Sequence, residues 1–419
     1  MRLRLTVIAV LLLSLSGCFV SDKLSNQNLS YLYKSGVNFL HPEYTLYHFS
    51  TDSTRVYYKI NTDELLYTRQ EDQKFGAVFK ISYRLFGNVE SQIATDTGSV
   101  QLTDSRMDET TNLLIGHFDC KSANCVSGTL ELRLTDLNRK QFALNFLSID
   151  KSTPQTAQFF LMTHKNSEEP YFDNYIAASD SVRIRHRDAG VHKFYVKYFK
   201  RSFPIAVPPF AIENLKAFDY VADSSFIIDL AKNTALCLPG EGLYHVQSDS
   251  SGREGFTIFR FKSDFPEVSK IDQLLEPLRY ITSHKEYDDL VGASNQKLAL
   301  DKFWVNLAGN QERARELIRR FYTRVMNANI LFTSYLEGWK TDRGIIYIVF
   351  GAPNVVYRGE NSENWTYGET GAMLSLSFSF IKVRNPFTLN DFMLNRAPLY
   401  ETSWYRAVDT WRQGRVYSD

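Results

Sequence analysis

Hydrophobic and polar residues alternate with a period of two along much of the first half of the chain. Between residues 41 and 153 the alternation recurs in five segments: TRVYYKI, GAVFKISYRLF, TNLLIGHFDC, GTLELRLTDL and KQFALNFLSI. Turn residues separate these segments at intervals typical of a β-sandwich, and no amphipathic helical run interrupts them. We therefore predict an antiparallel, immunoglobulin-like or similar β-sandwich over residues 41–153.

A second strand-rich region follows over residues 154–265, with less regular spacing. AQFFLMTH, DSVRIRHR, HKFYVKYFKR, GLYHVQSD and GFTIFRFKSD have the alternation of strands, whereas the proline-rich FPIAVPPF indicates a loop or a sheet edge. The two regions share no sequence repeat. This pattern predicts a second antiparallel β-sandwich-like domain.

The pattern changes at about residue 266, where helical periodicity replaces alternation. PEVSKIDQLLEPLRYI, HKEYDDLVGA and NQKLALDKFWVNLAG predict helices. A longer helix, NQERARELIRRFYTRVMNANILF, carries one apolar stripe formed by Leu317, Ile318, Phe321 and Val325. GIIYIVFG, ENWTYG and AMLSLSFSFIKV then predict three strands, and ETSWYRAVDTWRQ predicts a closing helix. We predict one α+β domain over residues 266–419, at the end of a mainly β, multidomain chain.

The N-terminal residues have the parts of a bacterial lipoprotein signal. Arg2 and Arg4 form a positively charged region, and the apolar LTVIAVLLLSL is too short to span a bilayer as a stable helix. The segment ends in LSGC at Cys18, which resembles a lipobox, in which the cysteine thiol takes a diacylglycerol. We predict a signal peptide over residues 1–17, lipidation of Cys18 and a polar tether over residues 18–40. An ordinary secretory signal with a chance cysteine is the alternative.

Localisation at the outer membrane is the expectation that follows from this signal. Phe19 follows the cysteine, where a lipoprotein kept in the inner membrane typically carries aspartate. No later stretch approaches 18 consecutive apolar residues. Loss of Arg2 and Arg4 changes the net charge from +1 to −1. Attachment would therefore come from the lipid, at about 0.8 kcal/mol per buried CH₂, and either face of the outer membrane fits the sequence.

Charge and cysteine usage narrow the classes of function. The chain has 48 Lys and Arg against 47 Asp and Glu, a balance that argues against nucleic-acid binding. In an oxidising envelope, a disulfide between Cys120 and Cys125 is the leading interpretation of their short spacing. A metal site with His117 and Asp119 is the weaker alternative, because no second ligand pair with zinc spacing exists. Cys237 is predicted to be a buried small hydrophobic residue. We expect neither a metal nor another cofactor.

One short segment, GWKTDRGIIYIVFGAP at residues 338–353, concentrates polar side chains between two glycines. The candidate site residues in and after this segment are Gly338, Trp339, Thr341, Asp342, Arg343, Gly344 and Trp365. Several have a structural interpretation on a crossing from helix to strand. Gly338 is placed for a left-handed helix cap, and Trp339 would hold the turn in the core. Gly344 would let the chain bend into a strand.

The polar residues of the segment have both structural and catalytic interpretations. Thr341 and Asp342 can bond nearby backbone N–H groups, and Arg343 can pair with a carboxylate. Catalysis would require a carboxylate pair, Asp342 with Glu363 or Glu337, as in a glycosidase. From residue 285 onward there is no His or Cys, which excludes His-assisted nucleophilic catalysis by residues of that stretch alone. A structural clasp is therefore favoured over a catalytic site, and a binding surface around the two tryptophans is the third interpretation.

The stretch from RVMNANILFTSYLEGW through GWKTDRGIIYIVFGAPNVVYR to ENWTY is similar to the signature of the GWxTD-domain family. The resemblance covers roughly the last third of the chain. It implies a bacterial envelope protein, often a lipoprotein with β-rich domains ahead of a C-terminal GWxTD module. It implies no reaction.

Together these features predict a lipid-anchored outer-membrane protein that is a non-enzymatic binding or scaffolding subunit of an envelope assembly. The expected partners are the membrane, through the anchor, and an envelope protein. The alternative is a carboxylate-dependent hydrolase that acts on envelope glycan. It rests on the many aromatic residues and on the acidic residues near Trp339 and Trp365.

Overall fold

The computed structural model describes residues 23–34, 39–70, 74–106, 113–123, 125–212, 218–230, 235–369 and 375–417. The predicted signal peptide and Cys18 lie outside these described residues. The predicted fold class is confirmed: the chain is mainly β, with antiparallel sheets followed by a C-terminal region that contains most of the helices. None of the described helices is both long enough and apolar enough to cross a membrane.

The first strand-rich region is a sandwich of two antiparallel sheets. Its strands are β1 (Glu43–Tyr47), β2 (Ser53–Asn61), β3 (Thr68–Arg69), β4 (Phe75–Phe86), β5 (Asp96–Arg106), β6 (Leu113–Lys121), β7 (Ser127–Asp136) and β8 (Gln141–Asp150). One sheet has the order β1-β2-β6, and the other has β3-β4-β7-β8 with β5 paired to β4. Every second residue of β2 is buried, because alternate side chains of a strand point to one face. Ile60 of one sheet and Phe79 of the other meet in the core.

Sequence alternation predicted five of these strands, β2, β4, β6, β7 and β8, and the structure confirms them. It missed β1, β3 and β5. The longest of the three, β5, has the sequence DTGSVQLTDSR and pairs with β4 at the side of its sheet. A strand of this kind has little apolar surface to bury, so its sequence carries a weak alternation.

The cysteines differ from their predicted states. Cys120 and Cys125 are separate thiols that are buried in one apolar cluster, so the predicted disulfide is not formed. Burial raises the pKa of the Cys120 thiol to about 11. Cys237 was predicted to be buried but is exposed, because it lies in a two-residue outer strand. Asp119 pairs with Arg55 at 2.8 Å, and the described part of the chain contains no group of three ligands that could hold a metal ion.

The second region is also a two-sheet sandwich. Its strands are β9 (Phe160–His164), β10 (Ser181–His186), β11 (Lys193–Phe199), β12 (Ser224–Asp229), β13 (Leu236–Cys237), β14 (Gly242–Gln247) and β15 (Phe256–Arg260). The sheets have the orders β13-β10-β9 and β12-β11-β14-β15. Val182 from the first sheet and Phe194 from the second are fully buried in one cluster. The proline-rich segment is a loop, as predicted.

The C-terminal region packs helices against one antiparallel sheet. The helices are α1 (Ile271–Leu275), α2 (His284–Val291), α3 (Gln296–Ala308), α4 (Gln311–Phe332), α5 (Asp342–Phe350) and α6 (Glu401–Arg412). The strands, in sheet order, are β16 (Val355–Arg358), β17 (Ser362–Tyr367), β18 (Leu376–Lys382) and β19 (Phe392–Leu394). The side chain of Asn310 accepts a hydrogen bond from the Arg313 N–H and caps α4. Of the predicted stripe on α4, Leu317, Phe321 and Val325 are buried.

The prediction of a strand at GIIYIVFG is wrong, because this segment belongs to helix α5. All nine residues of α5 are buried, so the helix is apolar on every side and has no amphipathic period. A short apolar run with several β-branched residues is ambiguous between a buried strand and a buried helix. The cap at Thr341 decides the outcome, because its side chain accepts a hydrogen bond from the N–H of Gly344.

Residues 23–34, the larger described part of the segment predicted as a polar tether, instead pack on the folded body. Leu24, Leu29 and Tyr33 are each at most 4% exposed, in or beside two 3-10 turns at Leu24–Asn26 and Ser30–Tyr33. Leu29 and Tyr33 belong to the core of the C-terminal region. The N–H of Leu29 bonds the carbonyl oxygen of Val356 in β16 at 2.8 Å. Apolar side chains four positions apart give a polar-looking segment a buried face.

Candidate functional site

The motif starts after α4, which ends at Phe332. Gly338 opens a 3-10 turn and is not a left-handed cap. The reason for glycine is close approach. A Cβ on Gly338 would lie 1.8 Å from the carbonyl oxygen of Ala328 in α4, and a Cβ on Gly344 would lie 1.8 Å from the carbonyl oxygen of Gly338. Three stretches of backbone therefore stack where only glycine fits.

Thr341 joins the two glycines. Its Oγ1 donates to the carbonyl oxygen of Gly338 at 2.8 Å and accepts from the N–H of Gly344 at 3.1 Å. The first bond holds the 3-10 turn, and the second caps α5. The sequence interpretation of this threonine as a turn-tightening residue is confirmed.

Trp339 fixes the turn in the core, as predicted. The residue is 3% exposed, and its indole packs edge-on against the ring of Tyr280. The backbone N–H of Trp339 donates to Oδ1 of Asn329 at 3.2 Å. The side-chain amide of Asn329 in turn donates to the carbonyl oxygen of Pro266 at 2.8 Å. Trp365 is fully buried. Neither ring therefore forms a surface for a ligand in solution.

Asp342 links the start of α5 to the edge of the sheet. Its Oδ2 accepts from the N–H of Leu394 in β19 at 2.7 Å and from Nη1 of Arg396 at 3.0 Å. The second carboxylate oxygen pairs with Nη2 of the same arginine. The carboxylate is therefore neutralised by a two-pronged ion pair, and its bonds reach residues distant in the sequence.

Arg343 is a buried cation between aromatic rings. Its guanidinium lies 4.0 Å from the ring centre of Phe392 and 5.2 Å from that of Phe332. Nη2 donates to the carbonyl oxygen of Asn390 at 3.0 Å, and Nη1 lies 3.6 Å from a carboxylate oxygen of Glu363. The prediction that Arg343 pairs with a carboxylate is confirmed.

Glu363 is the centre of this network and is fully buried. Oε1 accepts from the hydroxyl of Tyr33 at 2.5 Å and from Nε1 of Trp365 at 2.6 Å. Oε2 accepts from Nε of Arg358 at 3.1 Å. Burial raises the pKa of the Glu363 carboxyl, but the guanidinium groups of Arg358 and Arg343 outweigh burial, so the pKa is lowered. Glu363 is therefore held as a carboxylate.

Tyr33 brings the N-terminal segment into the network. Its hydroxyl also accepts from Nη2 of Arg358 at 2.9 Å, and its ring packs against Phe332 and Trp365. Burial, followed by the charge of Glu363, raises the pKa of Tyr33 to about 12. Residues about 300 positions apart thus share one hydrogen-bonded cluster.

The structure assigns separate partners to the carboxylates that were weighed as a catalytic pair. Asp342 is bound to Arg396, Glu363 to Arg358, and Glu337 to Lys340. Sequence reasoning missed Tyr33 and Asn390 in this cluster, along with both of these arginines. The spacing of Leu29 and Tyr33 was the one available signal for the N-terminal contribution.

We expect Asp342→Asn to destabilise the C-terminal region by about 1.5–3 kcal/mol, because the amide loses the charged pair with Arg396. Urea unfolding followed by tryptophan fluorescence measures this, since the five tryptophans lie between residues 304 and 411. Asp301→Asn, at an exposed position of α3, is the matched control. A higher unfolding midpoint for Asp342→Asn would contradict the structural role.

Asp391 predicts a pH dependence next to the same cluster. Burial raises the pKa of Asp391 to about 6, although Asn385 and Arg343 favour the charged form. Because aspartate in an unfolded chain titrates near about 3.9, the stabilisation by the protonated form is present below about pH 4. It is lost as the pH rises through 6. We expect Asp391→Asn to exceed wild type in stability at pH 7.5 by about 1–2 kcal/mol and to match it at pH 4. Equal stabilities at pH 7.5, measured by the same urea titration, would contradict this.

Comparison with protein families places a name on this part of the chain. Residues 242–413 match the profile of the GWxTD domain, so the C-terminal region is a GWxTD domain. The match begins with β14 in the second sandwich, ahead of the predicted boundary at residue 266. A search of curated proteins found no significant match.

Proposed function

We propose that this protein is a bacterial outer-membrane lipoprotein that acts as a non-enzymatic binding or scaffolding subunit of an envelope assembly. The observation that carries the proposal is the internal use of the motif. Asp342, Arg343 and Glu363 each bind partners within the chain, and Trp339 is buried. A motif whose polar groups are all engaged in this way supports a structural role and leaves binding to other surfaces.

The packed N-terminal segment limits the distance that the folded domains could have from the membrane. Leu24, which packs against the first sandwich, is six positions after the proposed lipidation site, Cys18. Fully extended, this stretch reaches about 20 Å, whereas a free tether to residue 40 would reach about 75 Å. Lipidation at Cys18 would therefore hold the junction of the domains close to the bilayer.

Strand β12 offers a surface for a protein partner. It is an outer strand of the second sandwich, and within the described residues its second edge pairs with no other strand. Phe226 and Ile227 on this strand are 40% and 61% exposed. An outer strand with exposed apolar side chains is a template for strand addition from another chain. This feature supports an envelope protein partner that contributes an extended segment.

The alternative, a carboxylate-dependent hydrolase of envelope glycan, has less support. Such an enzyme requires one carboxylic acid with a raised pKa facing a second carboxylate. Glu363 has a lowered pKa, and Asp342 is held by Arg396. Asp391 has a raised pKa, but its Oδ2 accepts a hydrogen bond from the side-chain amide of Asn385 at 2.6 Å. These contacts favour the non-enzymatic proposal.

Labelling with an alkyne-modified palmitate in the native bacterium tests the anchor. We expect wild type to be labelled and to sediment with the outer membrane, because Cys18 would carry the lipid. Cys18→Ser should lose the label, and Cys237→Ser, which removes an exposed cysteine, should keep it. An unlabelled wild-type protein would refute lipidation.

Cross-linking in intact cells tests the proposed partner surface. Ile227→Asp places a charge at the free sheet edge, so we expect it to abolish a cross-linked species that wild type forms. Ile93→Asp is the control, since Ile93 is also exposed but lies in the first sandwich. Equal cross-linking by both variants would remove β12 from the proposal.

A further inference from the structure

A cavity of about 540 Å³ lies where the N-terminal segment, both sandwiches and the GWxTD domain meet. Its volume is in the range of sites that hold small molecules, about 300–1,000 Å³. Aliphatic side chains line it from three sides: Leu24 of the N-terminal segment, Leu46 of β1 and Met162 of β9. The fourth side is formed by the GWxTD domain and is chemically different.

Cationic side chains occupy that fourth side. Arg358 ends β16 and Lys382 ends β18, and both line the cavity together with Arg343. Strand pairing brings them together, because Arg358 is opposite Glu363 and Lys382 is opposite Phe392, whose ring lies under the Arg343 guanidinium. The cavity therefore has aliphatic walls and one cationic end.

The cations differ in whether they already have partners. Arg343 and Arg358 are both paired with the buried Glu363. Lys382 is half-buried, and its ammonium has no ion pair or hydrogen bond with any described residue. Burial lowers the pKa of Lys382, and the charge of Arg358 adds to this effect. A partly buried cation without an ion-pair partner attracts an anion more strongly than a cation at the surface does, because water screens the charges less there.

The acidic side chains on the cavity wall leave this site open. Glu360 is exposed beside the cationic end, and Asp173 lies on the wall formed by the second sandwich. The charges of Asp150 and Glu360 raise the pKa of Lys382, but less than burial and Arg358 lower it. Lys382 therefore lines the cavity without a direct ion pair to any described carboxylate.

We propose that this cavity binds an amphipathic anion, a single apolar chain that ends in a carboxylate or phosphate group. The chain packs against Leu24, Leu46 and Met162, and the head group pairs with Lys382. The head group adds the missing counter-charge beside Arg358. Arg343 of the motif and its hydrogen-bond partner Asn390 also line the cavity and form its floor.

Isothermal titration calorimetry on the full chain tests this proposal. The probes are laurate, dodecyl phosphate and neutral dodecanol, each below the concentration at which it aggregates. We expect laurate or dodecyl phosphate to bind one site per chain, and dodecanol to bind at least about tenfold more weakly. The stronger of the two anions identifies the head group.

Variants at Lys382 locate the site. Lys382→Gln should lower the affinity for the preferred anion by about tenfold or more, because the charge-assisted bond is lost. Lys382→Arg should retain the affinity, because arginine keeps the charge. Lys302→Gln, at an exposed position of α3, is the control. Ser148→Trp, at an exposed position on the cavity wall, should block binding without removing a charge. Circular dichroism verifies that each variant is folded.

Three results would overturn the proposal. The first is no binding of either anion to folded wild type. The second is equal affinity of Lys382→Gln and wild type. The third is binding of glucuronate in place of the chain-bearing anions, which would make the cavity a site for an acidic sugar.

Discussion

Glu363→Gln is expected to destabilise the GWxTD domain by about 3–5 kcal/mol, because it removes one partner of a buried ion-pair network. The carboxylate is fully buried and neutralises Arg343 and Arg358. An amide cannot replace the charge, and its NH₂ group would face the donors of Tyr33 or Trp365. Two guanidinium groups would then share a site of low polarity without a counter-ion.

Tryptophan fluorescence during urea unfolding at pH 7 measures this effect. Because the five tryptophans lie between residues 304 and 411, the signal reports on the helical C-terminal region that contains Glu363. Glu360→Gln is the matched control, since Glu360 is exposed only three positions away. We expect a large fall in the unfolding midpoint for Glu363→Gln alone. An unchanged midpoint would show that the network does not stabilise the domain.

The same carboxylate predicts the acid limb of the stability curve. Its folded pKa is lowered, so its contribution is present above the unfolded pKa and is lost as the pH falls through the folded value. Wild type should therefore lose stability below about pH 4, and Glu363→Gln should show a weaker loss there. This trend is opposite in sign to that of Asp391.

Gly338→Ala is expected to destabilise the domain by more than about 3 kcal/mol, since the added methyl meets backbone and not a mobile side chain. Its Cβ would lie 1.8 Å from the Ala328 carbonyl oxygen, and α4 would have to move to admit it. Gly344→Ala meets the Gly338 carbonyl oxygen at the same distance, so a similar loss is expected. Gly338→Ala would separate α4 from the motif turn, and Gly344→Ala would separate the turn from α5.

Gly252→Ala is the control for these substitutions. A Cβ on Gly252 would have no heavy atom within 4 Å, and this turn lies within the matched residues 242–413. We expect its urea midpoint to equal that of wild type within about 0.5 kcal/mol. If Gly338→Ala were as stable as Gly252→Ala, the close packing of the motif on α4 would be wrong.

The sequence predicts most of the fold because alternation and helical periodicity report burial on one face. Strand β2 and helix α4 are clear cases, because each has one buried face and one more exposed face. Helix α5 could not be identified in this way, because burial on every side removes the periodicity. Polar edge strands such as β5 are missed for a different reason: little of their surface is apolar, so the alternation in their sequence is weak.

The candidate site was predicted only in part. The motif residues and their structural role follow from local chemistry, because Thr341 caps the helix that begins one residue later. The partners of Asp342 and Glu363 do not follow, since Arg396 and Tyr33 reach them through tertiary packing. Spacing along a chain carries no information on contacts that depend on how distant elements dock.

The residues of the motif share one structural role, which is to join distant elements of the domain. Close-packed glycines join α4 to the motif turn, Asp342 joins α5 to β19, and Glu363 joins the sheet to the N-terminal segment through Tyr33. The result is a domain in which the motif, the sheet and the N-terminal segment at Tyr33 are joined by buried contacts. Such a body suits a scaffold that holds a partner at a set distance from a membrane.

Co-purification tests the central claim, a scaffolding subunit of an envelope assembly, most directly. The membrane fraction of the native cells would be solubilised in mild detergent, and the companions of the protein would be quantified by mass spectrometry. We predict a stoichiometric envelope protein that is absent from preparations of Ile227→Asp and present with Ile93→Asp. Recovery of the wild-type protein alone, with no companion in comparable amount, would contradict the scaffolding role.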